Sequence, residues 1–300
     1  MEKPQIGFIG LGLMGSAMVE RLQELGYPLH VLANKSRANV DAAVARGATE
    51  HQTARELARA SDIVMLCVDT SQSVEARVFG KDGIVSGARP GTMVIDFGTS
   101  LPASTRKIGA EMAQKGVAYM DAPLGRTPAF ARQGRLNIMA AGSEDDLQRA
   151  LPVLNDLGEN VFHIGPLGTG HTLKLINNFF AMTSATAMSE AFAMADKAGL
   201  KRQTLYDVMS AGPLRSGMMD FIKANAIDGD PNQLAFTIAN ARKDVGYYLE
   251  MARDLGAESR IAPCPEAVLE KATQTGWGDR MVAEMVDFLA QQPGSARPKG

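Results

Sequence analysis

The sequence predicts an α/β fold, in which an N-terminal doubly wound parallel sheet is joined by one long helix to an all-α C-terminal domain. Strand-like and helical segments alternate through the first half of the chain, and a glycine-rich turn directly follows the first strand. After Gly170 the strand patterns stop and a long helical segment begins. With 300 residues, the chain suits two domains better than one core. We therefore expect domains at residues 1–165 and 166–292, with a disordered tail at 293–300.

The first strand, Ile6–Ile9, runs into three glycines with the spacing G-x-G-x-x-G, and a helical pattern follows from Ser16 to Leu25. The first glycine allows a tight turn, the second lets a pyrophosphate approach the backbone, and the third lets the helix pack on the strand. The helix N-terminus then directs N–H groups at the phosphates. Strand, turn and helix in this order predict a Rossmann-type dinucleotide site rather than an ordinary turn. The expected cofactor-binding residues here are Gly10, Leu11, Gly12, Leu13, Met14 and Gly15.

The later strands are recognised by their apolar runs. The run Asp62–Val68 is continuously apolar, as is typical of a parallel strand buried on both faces. The other predicted strands are Pro28–Ala33, a short strand after Gly47, Met93–Asp96, Ala118–Asp121, Leu136–Ala141 and Val161–Ile164, with helices such as Ala42–Arg46 and Ala54–Ala60 between them. This alternation predicts a parallel sheet whose ligands bind at the carboxyl ends of the strands.

The long helical segment extends from about residue 172 to residue 198, and Gly199 suits the position just after its end. Such a helix is about 40 Å long at about 1.5 Å per residue. Its apolar residues are spread around most of its surface, which indicates burial in a core or an interface. Only helical patterns follow it, up to about Gln292. We expect the helical domain to bind substrate and to form a homodimer or homotetramer.

Composition excludes several classes of function. The net charge of −2 gives no basic field that would attract nucleic acid. The sequence contains no run of about 20 apolar residues free of charge, so we expect no membrane span. The four histidines and two cysteines lack metal-ligand spacing, so we expect no metal site. The first strand begins almost at the N-terminus and leaves no room for a secretory signal. A cytoplasmic location is the expected default.

The end of the second strand indicates the choice of dinucleotide. An acidic residue there binds the ribose 2′-hydroxyl of NAD, whereas a cation accommodates the 2′-phosphate of NADP. This chain has Asn34, Lys35, Ser36 and Arg37 at that point, with no acid. The pattern favours NADP over NAD as the cofactor and assigns phosphate selectivity to these four residues. The alternative is a solvated basic turn.

Three further motifs carry a resemblance to a known family. They are the segments 121–127 (DAPLGRT), 168–178 (GTGHTLKLINN) and 241–246 (ARKDVG). Together with the glycine motif, and in the same order at similar spacing, they resemble the β-hydroxyacid dehydrogenase family over nearly the whole chain. The resemblance implies an NAD(P)-dependent oxidoreductase that acts on a small anionic aldehyde or hydroxy acid.

Lys174 is the candidate catalytic residue. Lys174 and Asn178 are four residues apart at the start of the long helix and so share a face, with Asn177 beside them. A lysine ammonium can protonate a carbonyl oxygen as hydride reaches the carbon, and partial desolvation brings its pKa toward the working range. The resemblance implies that Lys174 is catalytic and that Asn178 binds substrate. The alternative is a surface lysine near a helix start.

The resemblance also implies roles for residues elsewhere in the chain. Lys243 matches a family lysine that lies close to both nicotinamide and substrate, although it could instead be a solvated lysine paired with Asp244. Thr99 matches a Ser/Thr turn beside the nicotinamide, and Val68 and Asp69 match the turn beside the cofactor.

One loop departs from the family pattern. Most members have Ser-Gly-Gly where this chain has Gly125, Arg126 and Thr127. A guanidinium there suits a larger oxyanion such as a sulfonate, with Thr127 and Asn177 as further donors. The Gly-Arg-Thr sequence resembles the 3-sulfolactaldehyde reductase branch, which implies reduction of 3-sulfolactaldehyde to 2,3-dihydroxypropane-1-sulfonate. The alternative is a salt bridge of Arg126 within the loop.

Other functions remain open at this point. Within the same class, the substrate could be succinic, tartronate or methylmalonate semialdehyde, or the enzyme could be a 3-hydroxyisobutyrate-type dehydrogenase. Outside it, the chain could be a non-catalytic module that senses dinucleotides. The presence of both Lys174 and Asn178 favours an enzyme.

Overall fold

A computed structural model describes residues 3–32 and 37–291. The chain divides into two compact units, of which the first ends at Lys174 and the second begins at Leu175. The division falls inside the long helix, so the first turn of that helix belongs to the N-terminal unit. The domain boundaries at residues 165 and 292 stay a prediction.

The N-terminal unit alternates strands and helices along most of its length. Its strands are β1 (Ile6–Ile9), β2 (Leu29–Leu32), β3 (Thr49–His51), β4 (Ile63–Leu66), β5 (Met93–Asp96), β6 (Ala118–Asp121), β7 (Leu124–Gly125), β8 (Leu136–Ala141) and β9 (Gly158–Gly165). Its helices are α1 (Leu13–Glu24), α2 (Ala38–Ala45), α3 (Ala54–Arg59), α4 (Ser71–Phe79), α5 (Pro102–Ala113), α6 (Pro128–Arg132) and α7 (Glu144–Leu157). The predicted α/β class is confirmed.

The strands form one sheet with the order β3-β2-β1-β4-β5-β6-β8-β7, and β9 pairs with β8. Strands β1 to β6 pair in parallel. The chain moves outward from β1 in one direction through β2 and β3, and in the other direction from β4 onward. The switch point between β1 and β4 therefore opens a crevice at their carboxyl ends, which is where ligands bind in such sheets.

One strand departs from the predicted parallel sheet: β8 runs antiparallel to β6 and β7, although β9 pairs with it in parallel. Only β7 and the five-residue helix α6 lie between β6 and β8. A parallel return needs a crossover that spans the sheet, usually a full helix, and this connection has none. The two-residue strand β7 was not predicted.

The sheet is buried on both faces. Along β4, Met65 packs into the apolar core on one face, while Val64 and Leu66 pack into the core on the other. The same alternation separates Phe8 from Ile9 on β1. This confirms the interpretation of the continuous apolar run as a central parallel strand.

The long helix α8 extends from Thr169 to Lys197. It ends as predicted, because Gly199 adopts a φ of +73°, and Leu200 N–H donates to the carbonyl of Ala195 at 2.9 Å. The other helices of the C-terminal unit are α9 (Arg202–Ser210), α10 (Gly217–Ala226), α11 (Ile238–Asp254), α12 (Pro263–Ala272) and α13 (Met285–Ala290). In the described part of this unit, strand pairing is limited to one isolated bridge, between Thr237 and Met281.

The C-terminal unit has its own apolar core, to which α8 contributes Met182, Met188 and Phe192. Phe180 and Met194 on the same helix are 72% and 59% exposed in the single chain. Such residues are what an interface between copies would cover. The homodimer or homotetramer stays a prediction.

Candidate active site

The glycine turn after β1 has the geometry that a dinucleotide requires. Gly10 adopts a φ of +101°, and a Cβ there would lie 2.2 Å from the carbonyl oxygen of Cys67. A Cβ on Gly15 would lie 1.9 Å from the carbonyl oxygen of Gly10. A Cβ on Gly12, by contrast, would meet nothing within 4 Å. The turn is thus closed against side chains on the protein side and open at Gly12.

Gly12 is also the N-cap of α1, and it leaves the first N–H groups of the helix without a side-chain cap. These groups are the donors that a phosphate accepts from at a helix N-terminus. The open side of Gly12 and the uncapped helix start fit a pyrophosphate. Leu11 is buried and its carbonyl accepts from Asn39 Nδ2 at 2.7 Å, which ties the turn to α2. Leu13 is exposed, and Met14 packs against the core.

The end of β4 lies against this turn, since a Cβ on Gly10 would lie 3.0 Å from Val68 Cγ1, and the end of β5 lies beside that of β4. A Cβ on Gly98 would lie 2.9 Å from the carbonyl oxygen of Val68, so the two segments pass in close contact. Asp69 accepts a hydrogen bond from Ser73 Oγ at 2.9 Å in the first turn of α4. Thr99 follows Gly98, whose N–H donates to Asp96 Oδ1 at 2.8 Å. The predicted cofactor residues Val68, Asp69 and Thr99 therefore lie at the carboxyl ends of adjacent strands.

The predicted ribose-binding residues are only partly described. Asn34, Lys35 and Ser36 lie outside the described residues. Arg37 is exposed, and its guanidinium donates to Glu50 at 2.6 Å and to Asp41 at 2.7 Å. A 2′-phosphate at this point would compete with these two carboxylates for Arg37.

Lys174 lies against the loop that differs from the family pattern. Its Nζ donates to the carbonyl oxygen of Leu124 at 2.7 Å, and Leu124 directly precedes Gly125 and Arg126. The side chain is half-buried rather than extended into solvent. Because β7 pairs with β8, the sheet fixes the position of the carbonyl that Lys174 contacts. The structure thus brings together two elements of the predicted site within one unit.

Arg126 forms a salt bridge, as the alternative to a substrate contact supposed, but its partner lies on β9 rather than within the loop. Its guanidinium pairs with Glu159 and donates to the carbonyl of Arg135 at 2.6 Å. It also lies 5.1 Å from the ring centre of Phe130. The backbone of Arg126 has a φ of +75°, a conformation that favours the glycine of the family pattern. A substrate contact of Arg126 stays a prediction, and at Nη1 it would compete with Glu159 and the carbonyl of Arg135. Thr127 is half-buried at the start of α6.

The Arg126–Glu159 pair makes stability depend on pH. The hydrogen bond from Arg126 holds the pKa of Glu159 below its ordinary 4.5. A lowered carboxyl pKa stabilises the fold above the unfolded-state pKa, and that contribution is lost as the pH falls. We therefore expect Arg126→Met to have a lower free energy of unfolding than the native protein at neutral pH. This difference between the two proteins should become smaller as the pH falls below about 4.5. Urea unfolding at several pH values measures this. If the stability difference between the two proteins were the same at neutral and acid pH, a stabilising Arg126–Glu159 ion pair would be contradicted.

In the C-terminal unit, a carboxylate links two predicted substrate-binding residues. Asn178 Nδ2 donates to Asp244 Oδ2 at 2.6 Å, and Lys243 Nζ lies 3.0 Å from Asp244 Oδ1. Asn177 Nδ2 donates to Asn178 Oδ1 at 3.0 Å. The ion pair that was the alternative for Lys243 is therefore present, and Asp244 orients Asn178 as well. Sequence reasoning missed this second role, although Asp244 interrupts the buried face of α11 three residues after Ala241.

Sequence reasoning also missed a buried polar cluster at the start of α8. Asp96 and Asp121 end neighbouring strands and are opposite each other in the sheet register. His171 lies between them, with Nε2 3.8 Å from Asp96 Oδ2 and Nδ1 3.8 Å from Asp121 Oδ2. All three side chains are completely buried. Burial is the main cause that raises the pKa of Asp121. The paired strand ends were the available signal for this cluster.

Among residues 3–32 and 37–291, His, Cys, Asp and Glu side chains form no group of three or more that could hold a metal ion. In the same ranges, no helix is both long and apolar enough to cross a membrane.

Comparison with known proteins agrees with this geometry. Residues 5–165 match the family model of the NAD-binding domain of 6-phosphogluconate dehydrogenase. Residues 168–289 match the model described as NAD-binding of NADP-dependent 3-hydroxyisobutyrate dehydrogenase.

Individual relatives cover nearly the full chain. The 2-(hydroxymethyl)glutarate dehydrogenase of Eubacterium barkeri is 30% identical over 98% of each chain. The 3-sulfolactaldehyde reductase of Escherichia coli is 31% identical over 91% of each chain. The crystal structure of a 3-hydroxyisobutyrate dehydrogenase from Salmonella typhimurium superposes with a TM-score of 0.84 at 26% identity, covering 95% of this chain and 99% of that one. The chain therefore belongs to the β-hydroxyacid dehydrogenase family and is an oxidoreductase that uses NAD or NADP.

Proposed function

We propose that the protein reduces a small anionic aldehyde to its primary alcohol, and catalyses the reverse oxidation, with Lys174 as the proton donor and acceptor. The observation that carries this proposal is the position of Lys174, whose Nζ is held at 2.7 Å by the carbonyl of Leu124 beside the divergent loop. When bound, NAD(P)H supplies the hydride. The open side of Gly12 and the uncapped start of α1 support its binding through the pyrophosphate.

Lys174 has the donors that this chemistry requires. An ammonium group has three N–H donors, and the carbonyl of Leu124 accepts from one of them. Another can donate to the aldehyde oxygen and transfer its proton as negative charge develops there. In the oxidative direction, the neutral amine accepts the hydroxyl proton. The bond to Leu124 orients the amine for both directions.

The substrate's anionic group is proposed to bind backbone N–H groups and the Thr127 hydroxyl at the loop, with Asn177 as a further donor. Family resemblance adds Asn178 and Lys243 as substrate contacts. The Arg126–Glu159 ion pair changes the order of the substrate candidates. A guanidinium already neutralised by a carboxylate gives a sulfonate no particular advantage. We therefore place carboxylate aldehydes first. The sulfonate 3-sulfolactaldehyde stays the second candidate, because a reductase named for it is 31% identical to this chain.

A substrate panel tests this proposal. Initial rates with NADPH and NADH are measured for succinic, tartronate and methylmalonate semialdehydes, for 3-sulfolactaldehyde, and for butanal as a neutral control. We expect kcat/KM for the preferred carboxylate aldehyde to exceed that for butanal by about 100-fold, since a charge-assisted contact contributes about 1.5–3 kcal/mol. A preference for 3-sulfolactaldehyde would favour the second candidate. If none of the anionic aldehydes were reduced, the proposal would be contradicted.

We also propose that NADP is preferred over NAD, through Lys35 and Arg37. In the double variant Lys35→Ala/Arg37→Ala, kcat/KM with NADPH should fall by about 10- to 100-fold, because charge-assisted bonds to the 2′-phosphate are lost. The value with NADH should change little. Glu50→Gln is a matched control: it frees Arg37 from a carboxylate that pairs with it at 2.6 Å and should improve the use of NADPH. An unchanged preference in both variants would contradict the assignment.

A further inference from the structure

The start of α8 is anchored to the sheet by buried polar groups that the proposed reaction does not itself use. We propose that Asp121 and His171 are positioning residues, which fix the first turn of α8 and thereby hold Lys174 against Leu124. The inference rests on the proposed proton-transfer role of Lys174. It adds two residues, neither of which contacts substrate, to the account of how that role is achieved.

Asp121 caps the helix from another element. Its Oδ1 accepts from Gly168 N–H and its Oδ2 accepts from His171 N–H, both at 2.7 Å. N–H groups at the start of a helix have no partner within it, and Asp121 satisfies one in the first turn, at His171, and one just before it, at Gly168. Its negative charge is also favourable at a helix N-terminus. Asp121 lies at the end of β6, so the cap ties α8 directly to the sheet.

The helix start is seated too closely on the sheet to shift freely. A Cβ on Gly170 would lie 2.5 Å from the carbonyl oxygen of Met139 and 2.8 Å from Asp121 Oδ2. Glycine is therefore required where the first turn crosses β6 and β8. Gly168 precedes this turn with a φ of +89°, which sets the direction in which the chain enters the helix.

His171 links the same turn to two further elements. Thr105 Oγ1 on α5 lies 2.7 Å from His171 Nδ1. Thr105 Oγ1 also donates to the carbonyl of Leu101 at 3.2 Å, so the network assigns the proton between Thr105 and His171 to Nδ1. The opposite edge of the ring, at Nε2, faces Asp96, whose own carboxylate accepts from Gly98 N–H and Ser100 Oγ. The imidazole is thus hydrogen-bonded to α5 and enclosed between the carboxylates that end β5 and β6.

One residue connects both partners of the Lys174 hydrogen bond. The side chain of Asp121 holds the turn that ends three residues before Lys174. The main chain that follows Asp121 leads directly to Leu124, whose carbonyl accepts from Lys174 Nζ. Asp121 therefore helps to place both the donor, Lys174 Nζ, and the acceptor, the carbonyl oxygen of Leu124. Burial raises the pKa of this carboxyl group. A buried carboxyl group with a shifted pKa that bonds two backbone N–H groups beside the candidate site is consistent with a positioning role.

The experiment compares Asp121→Asn, His171→Leu and His171→Gln with the native enzyme on the best aldehyde of the panel. Asparagine presents an N–H₂ group to one of the two backbone donors, so one capping bond is lost. We expect Asp121→Asn and His171→Leu to lower kcat by about 10- to 100-fold, since a displacement of about 1 Å can have effects of that size. KM for the cofactor should stay within about twofold of native, because the Gly12 turn is untouched. Glutamine can still bond Thr105, so His171→Gln should recover most of the lost kcat.

Ser143→Ala is the matched control, because Ser143 Oγ accepts from Asp146 N–H at 3.1 Å and caps α7, a helix without a proposed catalytic residue. It should lower thermal stability with little change in kcat. If Asp121→Asn fails to fold, Thr105→Val removes one hydrogen bond of His171 and takes its place. If the Asp121 and His171 variants lost stability but kept the native kcat, as expected for Ser143→Ala, a positioning role of the two residues would be overturned. Full activity of Lys174→Ala would instead overturn the proposed function.

Discussion

Lys174→Ala should lower kcat by about 10³-fold while the Kd of NADPH stays within about twofold of the native value. General acid–base catalysis contributes about 10²- to 10⁴-fold, and alanine removes the only group assigned to it. The cofactor should still bind, because its proposed contacts lie at the glycine turn, at the ends of β4 and β5, and near Arg37. Fluorescence titration with NADPH and single-turnover absorbance measurements separate the two effects.

Lys174→Arg is the matched control for charge. It keeps a cation that can donate to the carbonyl of Leu124, but a guanidinium does not release its proton in the working range. We expect it to be nearly as inactive as Lys174→Ala. If either variant retained more than about a tenth of the native kcat, proton transfer by Lys174 would be contradicted.

Gly12→Val should weaken binding of both NADPH and NADH by at least about 100-fold without unfolding the protein. A side chain on Gly12 meets nothing within 4 Å of its Cβ, and the φ of −71° there is accessible to valine. The added atoms would occupy the space in which the pyrophosphate approaches the backbone. Loss of one strong phosphate contact and its neighbours amounts to about 3 kcal/mol. Equilibrium titration gives the two Kd values, and the change in folding stability should stay near 1 kcal/mol.

Gly15→Ala, in the same motif, should lower folding stability, whereas Gly12→Val should lower cofactor affinity. A Cβ there would lie 1.9 Å from the carbonyl oxygen of Gly10, so strand and helix must separate. We expect a loss of about 3 kcal/mol in unfolding free energy, visible in urea denaturation. Native cofactor affinity in Gly12→Val would show that the dinucleotide binds elsewhere.

Much of the fold follows from local pattern. The bounds of β1, β5, β6 and β8 agree with those predicted, because each is a short apolar run between clear turns. Helix α1 begins at Leu13 rather than Ser16, since Gly12 serves as its N-cap. Strand β9 is longer than predicted, because its pairing with β8 extends the strand into polar residues. The antiparallel direction of β8 goes with its pairing to β7, and β7 has only two residues, too few to show the alternating pattern of a strand.

The parts of the site that sequence did not reveal depend on partners far along the chain. Arg126 pairs with Glu159, which lies 33 residues later, and nothing near Arg126 predicts that carboxylate. Asp121 and His171 are 50 residues apart, and Asn178 and Asp244 are 66 apart. In contrast, the glycine turn is predicted from the spacing of its own residues on one strand, turn and helix. Lys174 is predicted from its position four residues before Asn178 on one helix together with the family resemblance.

The most direct test of the central claim is a crystal structure of the enzyme with NADP⁺ and the hydroxy acid product of its best aldehyde. We predict that Lys174 Nζ lies within about 3 Å of the hydroxyl oxygen whose carbon gives up hydride. A hydroxyl oxygen bound by another group, with Lys174 too far away for even one bridging water, would contradict proton transfer by Lys174.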